Sequence, residues 1–261
     1  MELEKLDLVK PVDGVVAFST TRGEVNGRSA YSGVNLCDYV GDDALCVLNA
    51  RIELSMQLGV DLDDIIMPRQ THSCRVAVID EAYRSMDINQ QEEALEGIDA
   101  LVTSMAGTVI GVNTADCVPI VLVDGRAGVI AAAHAGWRGT AGRIVKQVVD
   151  EMCRQGATPN HIQAAMGPSI CQACFEVGDE VVDAFKQADF DLDAIVKRDA
   201  VTGKAHIDLR AANRAALIAA GVPDGAIVNS QHCSRCEHER FFSARRLGIN
   251  SGRTFTAIYK H

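Results

Sequence analysis

Two short apolar runs near the middle of the chain most constrain its fold. Residues 118–123 (VPIVLV) and 128–133 (GVIAAA) are separated only by the tetrapeptide DGRA. Two apolar runs joined by so short a polar, glycine-containing connection are typical of a β-hairpin. We therefore predict that a hairpin forms the centre of the molecule.

The predicted register of this hairpin brings two ligand-type side chains together. A two-residue turn at residues 125–126 would pair Asp124 with Ala127. Continued outward, the same register places Cys117 directly opposite His134. Directly opposed residues have Cβ atoms about 4.5–5.5 Å apart, which suits two ligands of one metal ion.

The charge balance argues against nucleic acid as a partner. The chain carries 35 acidic and 25 basic residues, which gives a formal net charge of −10. A surface that follows a phosphate backbone needs a clustered excess of cations. Small anionic substrates remain compatible with the composition if a few arginines converge in one cleft.

The sequence has the features of a cytoplasmic protein that does not enter a membrane. Residues 1–14 lack a basic region followed by an apolar core, and no apolar run approaches the roughly 20 residues that span a bilayer. The nine cysteines are scattered and odd in number, which suits a reducing compartment better than a disulfide framework.

Strand and helix patterns interleave along the whole chain. Strands are predicted at residues 14–20, 75–79, 98–103, 108–113, 162–166, 226–230 and 254–259, and helices at 42–58, 139–154, 176–185 and 209–221. The acidic segment 80–97 is expected to form an exposed excursion. Without repeats or linkers, the pattern predicts a single α/β or α+β domain over residues 1–261 with mixed sheets.

A third candidate ligand strengthens the metal hypothesis. Cys117 and His134 alone are equally consistent with a buried thiol and a core histidine. His72, however, lies in the polar stretch RQTHS rather than on an apolar face. One cysteine with two histidines suits zinc or copper, and three protein ligands leave one position open for chemistry. We therefore treat His72, Cys117 and His134 as metal-binding and catalytic candidates.

Polar residues near these ligands are candidates for substrate binding. Arg22, Arg69 and Arg138 could contact phosphate, because guanidinium groups bind oxyanions in a bidentate way. The complete set assigned to substrate binding is Arg22, Asn35, Gln70, Asp116, Trp137 and Arg138.

Two other readings of the cysteines stay open. Cys117 and His134 could instead act as nucleophile and base of a thiol hydrolase that cleaves cell-wall peptides or amides, with Asp116 or Glu176 orienting the histidine. Separately, the CxxC pairs Cys171/Cys174 and Cys233/Cys236 could form a second metal site. Their separation of 58 residues is much longer than that of a compact zinc ribbon and argues for unligated thiols.

Several motifs resemble the laccase-domain family, whose members are also known as polyphenol oxidases and as purine nucleoside phosphorylases with adenosine deaminase activity. The matching segments are RQTHS (69–73), TADCVPIVL (114–122), AAAHAGWRG (131–139), GPSIC (167–171), FEVG (175–178) and FFSARR (241–246). The resemblance covers nearly the whole chain. It departs from the family at GEVNGRS (23–29), a loop that includes Arg28 and stands where the family has GGVS.

This resemblance implies a layered α/β/β/α fold with mixed sheets, and one zinc ion bound by His72, Cys117 and His134. The implied activity is phosphorolysis of adenosine, inosine and methylthioadenosine, together with adenosine deamination. Copper-dependent oxidation of phenols is the alternative that it implies, with Met67 or Met166 as conceivable axial ligands. A multicopper laccase needs many histidines in HxH pairs, whereas this chain has seven histidines and no such pair. Zinc is therefore the expected cofactor and purine nucleosides and phosphate the expected small-molecule partners.

Overall fold

The computed structural model describes residues 1–25 and 29–261. Residues 26–28, which include Arg28 of the loop that departs from the family pattern, lie outside the described residues.

The strands are β1 Leu3–Lys5, β2 Val15–Thr20, β3 Ile65–Ile66, β4 Val76–Val78, β5 Ala100–Thr103, β6 Val109–Thr114, β7 Val118–Asp124, β8 Val129–Ala135, β9 Gln163–Met166, β10 Glu176–Val177, β11 Val196–Arg198, β12 Ala205–Ile207, β13 Ile227–Asn229 and β14 Thr254–Lys260. The helices are α1 Ala44–Leu58, α2 Glu81–Arg84, α3 Ile88–Leu95, α4 Trp137–Ala141, α5 Ile144–Arg154, α6 Asp179–Gln187, α7 Leu192–Ile195, α8 Leu209–Ala219 and α9 Ala244–Leu247.

The described strands form two large mixed sheets and a small one. The five-stranded sheet has the order β1-β2-β14-β6-β3, and the six-stranded sheet has the order β13-β9-β7-β8-β5-β4. Strands β10, β12 and β11 form the small antiparallel sheet. The predicted hairpin, β7 with β8, occupies the middle of the six-stranded sheet.

Successive side chains of the strands point to opposite faces of the sheets, and the apolar ones form three separate layers. Ile110 and Ile258 of the five-stranded sheet pack against Val121 and Ile130 of the six-stranded sheet. The opposite face of the five-stranded sheet, which includes Phe18 and Phe255, is covered by Leu54 of α1. The opposite face of the six-stranded sheet is covered by α5, α6 and α8. This order of layers confirms the expected α/β/β/α fold.

The predicted register of the central hairpin is wrong by two residues. Asp124 pairs with Val129 and Pro119 with His134, so the connection contains four residues, 125–128. The Asp124 carboxylate accepts hydrogen bonds from the backbone N–H groups of Arg126 (2.9 Å) and Ala127 (3.2 Å), and Gly128 has a φ of 67°. Because side chains alternate with a period of two, this shift leaves Cys117 and His134 on the same face.

Capping residues mark several of the helix ends. Asp43 caps α1 by accepting from the N–H groups of Leu45 and Cys46, and Gly59 ends the helix with a φ of 69°. Asp208 caps α8 by accepting from the N–H group of Ala211. The helix predicted over 139–154 is instead split into α4 and α5 at Gly142. A Cβ atom on Gly142 would lie 2.4 Å from the Cys74 sulfur.

Two further segments differ from their predictions. The excursion 80–97 contains the short helices α2 and α3, and the side chains of Tyr83 and Leu95 are buried. The helix predicted over 176–185 begins only at Asp179, because residues 176–177 pair with β12. Within the described ranges, no helix combines the length and the hydropathy that crossing a bilayer requires.

Burial of the α5 face against the six-stranded sheet gives a test of this packing. Met152 in α5 is fully buried, whereas Met56 in α1 is 78% exposed. Met152→Ala should lower the free energy of unfolding by about 2–5 kcal/mol, because it leaves a cavity in a packed core. Met56→Ala should change it by less than about 0.5 kcal/mol. Urea denaturation of both variants measures the difference, and equal midpoints would contradict the layer assignment.

Candidate metal and active site

The three predicted ligands come together at one edge of the six-stranded sheet. His72 precedes β4, Cys117 directly precedes β7, and His134 is near the end of β8. Their possible ligand atoms all lie within 4.8 Å of one another. The Cys117 sulfur is 3.9 Å from Nε2 of His72, and the two imidazole rings are edge-to-face with centroids 4.8 Å apart.

A buried carboxylate, Asp99, holds two of these ligands in place. Asp99 directly precedes β5 and is fully buried. Its oxygens accept hydrogen bonds from Nδ1 of His134 (2.6 Å) and from the backbone N–H groups of Thr71 (3.1 Å), His72 (3.0 Å) and Ser73 (2.7 Å). His72 has a φ of 62°, an uncommon conformation for a residue with a Cβ atom. The Asp99 hydrogen bonds hold the backbone of His72 in that conformation.

Asp99 keeps its charge although it is buried. Burial alone would raise the pKa of this carboxyl, but hydrogen bonds from His134 and Ser73 bring the pKa below its usual value. Asp99 was not among the predicted site residues. Its position offered a signal, since one acidic residue interrupts the apolar stretch 98–102 (IDALV), and a buried carboxylate requires hydrogen-bonding partners.

Cys117 and His134 shift each other's pKa because they lie close together. Burial would raise the pKa of the Cys117 thiol, but the imidazoles of His134 and His72 lower it to about 6. Burial would lower the pKa of His134, but the Cys117 thiolate and Asp99 raise it to about 9. These shifts favour the thiolate form of Cys117. The thiolate is the form of cysteine that binds metals.

Gly136 leaves the space that the ligands need. A Cβ atom on this residue would lie 2.9 Å from the Cys117 sulfur and 3.0 Å from Cδ2 of His72. Any larger residue would therefore displace two ligands. The requirement explains why a glycine separates His134-Ala135 from Trp137.

The donor set fits a zinc or copper ion. Nδ1 of His134 is engaged by Asp99, so Nε2 is the nitrogen available for coordination, and a histidine–carboxylate pair of this kind is usual beside bound metals. His72 is exposed, Cys117 is half-buried and His134 is buried. The ligands are thus accessible from one side, as an open coordination position requires.

Three of the predicted substrate-binding residues make internal hydrogen bonds. Both amide atoms of Gln70 bond to the backbone of Asn113, at 2.7 and 2.8 Å. The buried Asn35 side chain bonds to Cys37, Asp42 and Arg253. The Arg22 guanidinium, also buried, donates to the backbone carbonyls of Ser32 and His238.

The contacts of Asp116, Arg138 and Arg69 are of three different kinds. The Asp116 carboxylate accepts from the Ser234 hydroxyl and the Arg245 backbone N–H, each at 2.7 Å. Arg138 is exposed, and its guanidinium carbon lies 4.2 Å from the centre of the Trp137 ring. Arg69 is also exposed and forms an ion pair with Glu96 at 3.5 Å.

The residues on which the thiol-hydrolase and copper hypotheses depend make other contacts. Glu176, a candidate to orient His134, pairs instead with Lys204 at 3.2 Å, and Asp99 rather than Asp116 contacts the imidazole. Met166 is buried in the apolar layer beneath α5, and Met67 packs in the layer beneath α1.

Comparisons with known proteins place the chain in a family. A model described as "Multi-copper polyphenol oxidoreductase laccase" matches residues 16–261. Adenosine deaminase RL5 from an unknown prokaryotic organism is 76% identical over 260 residues, covering 100% of this chain and 99% of the relative. A purine nucleoside phosphorylase from Bacteroides thetaiotaomicron is 41% identical over 245 residues, covering 94% of this chain and 91% of the relative.

Solved structures agree with this match. YlmD from Geobacillus stearothermophilus superposes with a TM-score of 0.87 at 34% identity, covering 96% of this chain and 93% of that one. The hypothetical protein YfiH from Bacillus licheniformis superposes with a TM-score of 0.85 at 30% identity, covering 95% and 93%. The chain belongs to the family described as multi-copper polyphenol oxidoreductase laccase.

Proposed function

We propose that this chain is a zinc-dependent purine nucleoside phosphorylase with adenosine deaminase activity. The substrates would be adenosine, inosine and methylthioadenosine, with phosphate as the co-substrate. The observation that carries the proposal is the convergence of His72, Cys117 and His134 on one accessible point. The names of the relatives, adenosine deaminase and purine nucleoside phosphorylase, support these two activities.

His72, Cys117 and His134 would hold the zinc ion. When bound, zinc supplies a Lewis acid that polarises an oxygen atom and lowers the pKa of water. Asp99 keeps the proton of His134 on Nδ1 and so presents Nε2 to the site. The Asp99 hydrogen bonds to residues 71–73 fix the position of His72 at the same time.

Phosphorolysis and deamination make different demands on the surrounding residues. In phosphorolysis a phosphate oxygen attacks C1′ of the ribose, and the purine leaves with the electrons of the C1′–N9 bond and takes up a proton. In deamination water attacks C6 of the purine, and the amino group leaves as ammonia. Arg138 is the arginine that we propose for the phosphate, because it is exposed beside Trp137 only a few residues beyond His134.

Residues 1–261 would act as one catalytic domain in the cytoplasm, with small molecules as partners. The nine cysteines are all unpaired, which supports a reducing compartment.

Copper-dependent oxidation of phenols is the second candidate, favoured by the His₂Cys donor set. The packing of Met67 and Met166 in separate apolar layers weakens it. One mononuclear site also cannot by itself store the four electrons that reduce dioxygen to water. A thiol hydrolase is the third candidate, since Cys117 lies beside His134 and Nδ1 of His134 is hydrogen-bonded to Asp99.

Product analysis tests the main proposal. Adenosine with phosphate should give adenine and ribose-1-phosphate, and adenosine in phosphate-free buffer should give inosine. Cys117→Ser should reduce both activities by more than about 100-fold, because it removes a metal ligand. Cys46→Ser, an exposed cysteine in α1, is the matched control. Chromatography that finds none of these products with the zinc-loaded protein would reject the proposal, and activity that survives chelation would favour the thiol hydrolase.

The role of Asp99 can be separated from its contribution to stability. Asp124 is also a buried carboxylate that accepts three backbone N–H hydrogen bonds, but it lies at the other end of β7. Asp99→Asn and Asp124→Asn should both destabilise the fold. Only Asp99→Asn should lower metal affinity, by about 10–100-fold, because it disturbs His72 and His134.

The measurement is the chelator concentration that halves nucleoside turnover in each variant. An unchanged midpoint in Asp99→Asn would show that this carboxylate does not position the ligands.

Copper loading separates the first two candidates. Copper-loaded protein with a phenol should consume dioxygen no faster than the copper-loaded Cys117→Ser variant, because a single site lacks the electrons for the reaction. Zinc-loaded, copper-free protein should retain nucleoside turnover. Dioxygen uptake that depends on Cys117, combined with no nucleoside turnover, would favour the oxidase.

A further inference from the structure

Four cysteines outside the candidate active site lie in a second compact group. The sulfur atoms of Cys171, Cys174, Cys233 and Cys236 all lie within 4.8 Å of one another. The sulfurs of Cys174 and Cys236 are 3.5 Å apart. None of these thiols has a role in the proposed nucleoside chemistry.

Sheet topology explains how two distant CxxC pairs meet. Strands β9 and β13 are parallel neighbours, with Met166 paired to Asn229. Each strand is followed within a few residues by one CxxC pair, and the pairing continues as a bridge between Ser169 and Cys233. Parallel strands end at the same edge of a sheet. Most of the 58 intervening residues therefore belong to the crossover between two adjacent strands, and their number is no obstacle to a shared site.

The side chain of Arg210 links the two loops that carry the cysteine pairs. Its guanidinium donates to the hydroxyl and carbonyl oxygens of Ser169 (2.8 and 2.5 Å), to the carbonyl of Ser230 (2.8 Å) and to the carbonyl of His232. These residues stand immediately before the two cysteine pairs. The cysteine group is thus built on an ordered framework of hydrogen bonds.

Two further donors point at the sulfur atoms. Nη1 of Arg235 lies 3.4 Å from the Cys174 sulfur, and the backbone N–H of Cys171 donates to the Cys233 sulfur at 3.3 Å. Such donors stabilise thiolates and offset the excess negative charge of four of them around a divalent cation.

We propose that Cys171, Cys174, Cys233 and Cys236 bind one structural zinc ion. Four sulfurs about 2.3 Å from a tetrahedral zinc lie about 3.8 Å from one another, which the observed separations approach. Four protein ligands leave no open position, so the ion would be structural and not catalytic. An iron–sulfur cluster would need the sulfurs farther apart, because several iron atoms must fit between them.

This ion would support the active site through Asp116. Ser234, between the last two cysteines, donates its hydroxyl to Asp116, and the N–H of Ile170, next to Cys171, donates to the Asp116 carbonyl at 2.9 Å. Asp116 has a φ of 91° and directly precedes Cys117. An ordered conformation of the cysteine loops would therefore help to hold Cys117 in position in the candidate active site.

Metal analysis of three single variants tests the proposal. Protein purified under reducing conditions should contain about two zinc ions per chain, one at each site. Cys236→Ser should reduce this to about one and should lower the thermal midpoint. Cys117→Ser should also reduce it to about one, but it should abolish nucleoside turnover, and Cys46→Ser should keep both ions.

Outcomes at the two sites are distinguishable. Zinc content that Cys236→Ser leaves unchanged would overturn the proposal, and so would stoichiometric iron or copper in the Cys117→Ser protein. Disulfides that join these four cysteines in the freshly purified protein would overturn it as well. None of these results depends on nucleoside turnover.

A spectroscopic measurement on protein with intact cysteine loops covers the case in which Cys236→Ser does not fold. Apo Cys117→Ser protein, loaded with Co²⁺, should show the strong charge-transfer bands of a tetrahedral tetrathiolate site, and one equivalent of zinc should abolish them. Octahedral Co²⁺ spectra without thiolate bands would overturn the proposal.

Discussion

The buried carboxylate of Asp99 is the contact on which the candidate active site depends. It joins the backbone of residues 71–73 to the imidazole of His134, so two candidate ligands from separate segments share one anchor. Hydrogen bonds to a charged group each contribute about 1.5–3 kcal/mol. The same bonds hold His72 at a positive φ, so stability and ligand geometry come from one set of contacts.

Periodicity explains why the sequence predicted the meeting of Cys117 and His134 although it predicted the wrong register. Faces of a strand repeat every two residues, so a shift of two residues keeps both side chains on one side. The predicted two-residue turn is wrong because the Asp124 side chain accepts hydrogen bonds that stabilise a four-residue loop. The α/β/β/α order of layers, by contrast, is what the family resemblance implies, because the strand and helix patterns alone predict only an α/β or α+β domain with mixed sheets.

Residues whose roles depend on partners far along the chain could not be predicted in the same way. Gln70 and Asn35 are polar loop residues, which is equally consistent with substrate contacts and with internal hydrogen bonds. Their amides bond to Asn113 and Arg253 among others. The role of Arg210 could not be predicted because its acceptors are mostly backbone carbonyls, which every sequence contains. Side-chain chemistry alone does not reveal such pairings.

Both groups of candidate metal ligands lie at the same edge of the six-stranded sheet. At this edge β8 ends beside the beginnings of β5 and β7, and β9 and β13 end next to them. His134, Asp99 and Cys117 come from the first set of strand ends, and the two CxxC loops follow the second. Asp116 lies between them, bonded to Ser234 and followed by Cys117. The hydrogen bonds from Ser234 and from the Ile170 N–H to Asp116 therefore connect the cysteine loops with the residue that directly precedes Cys117.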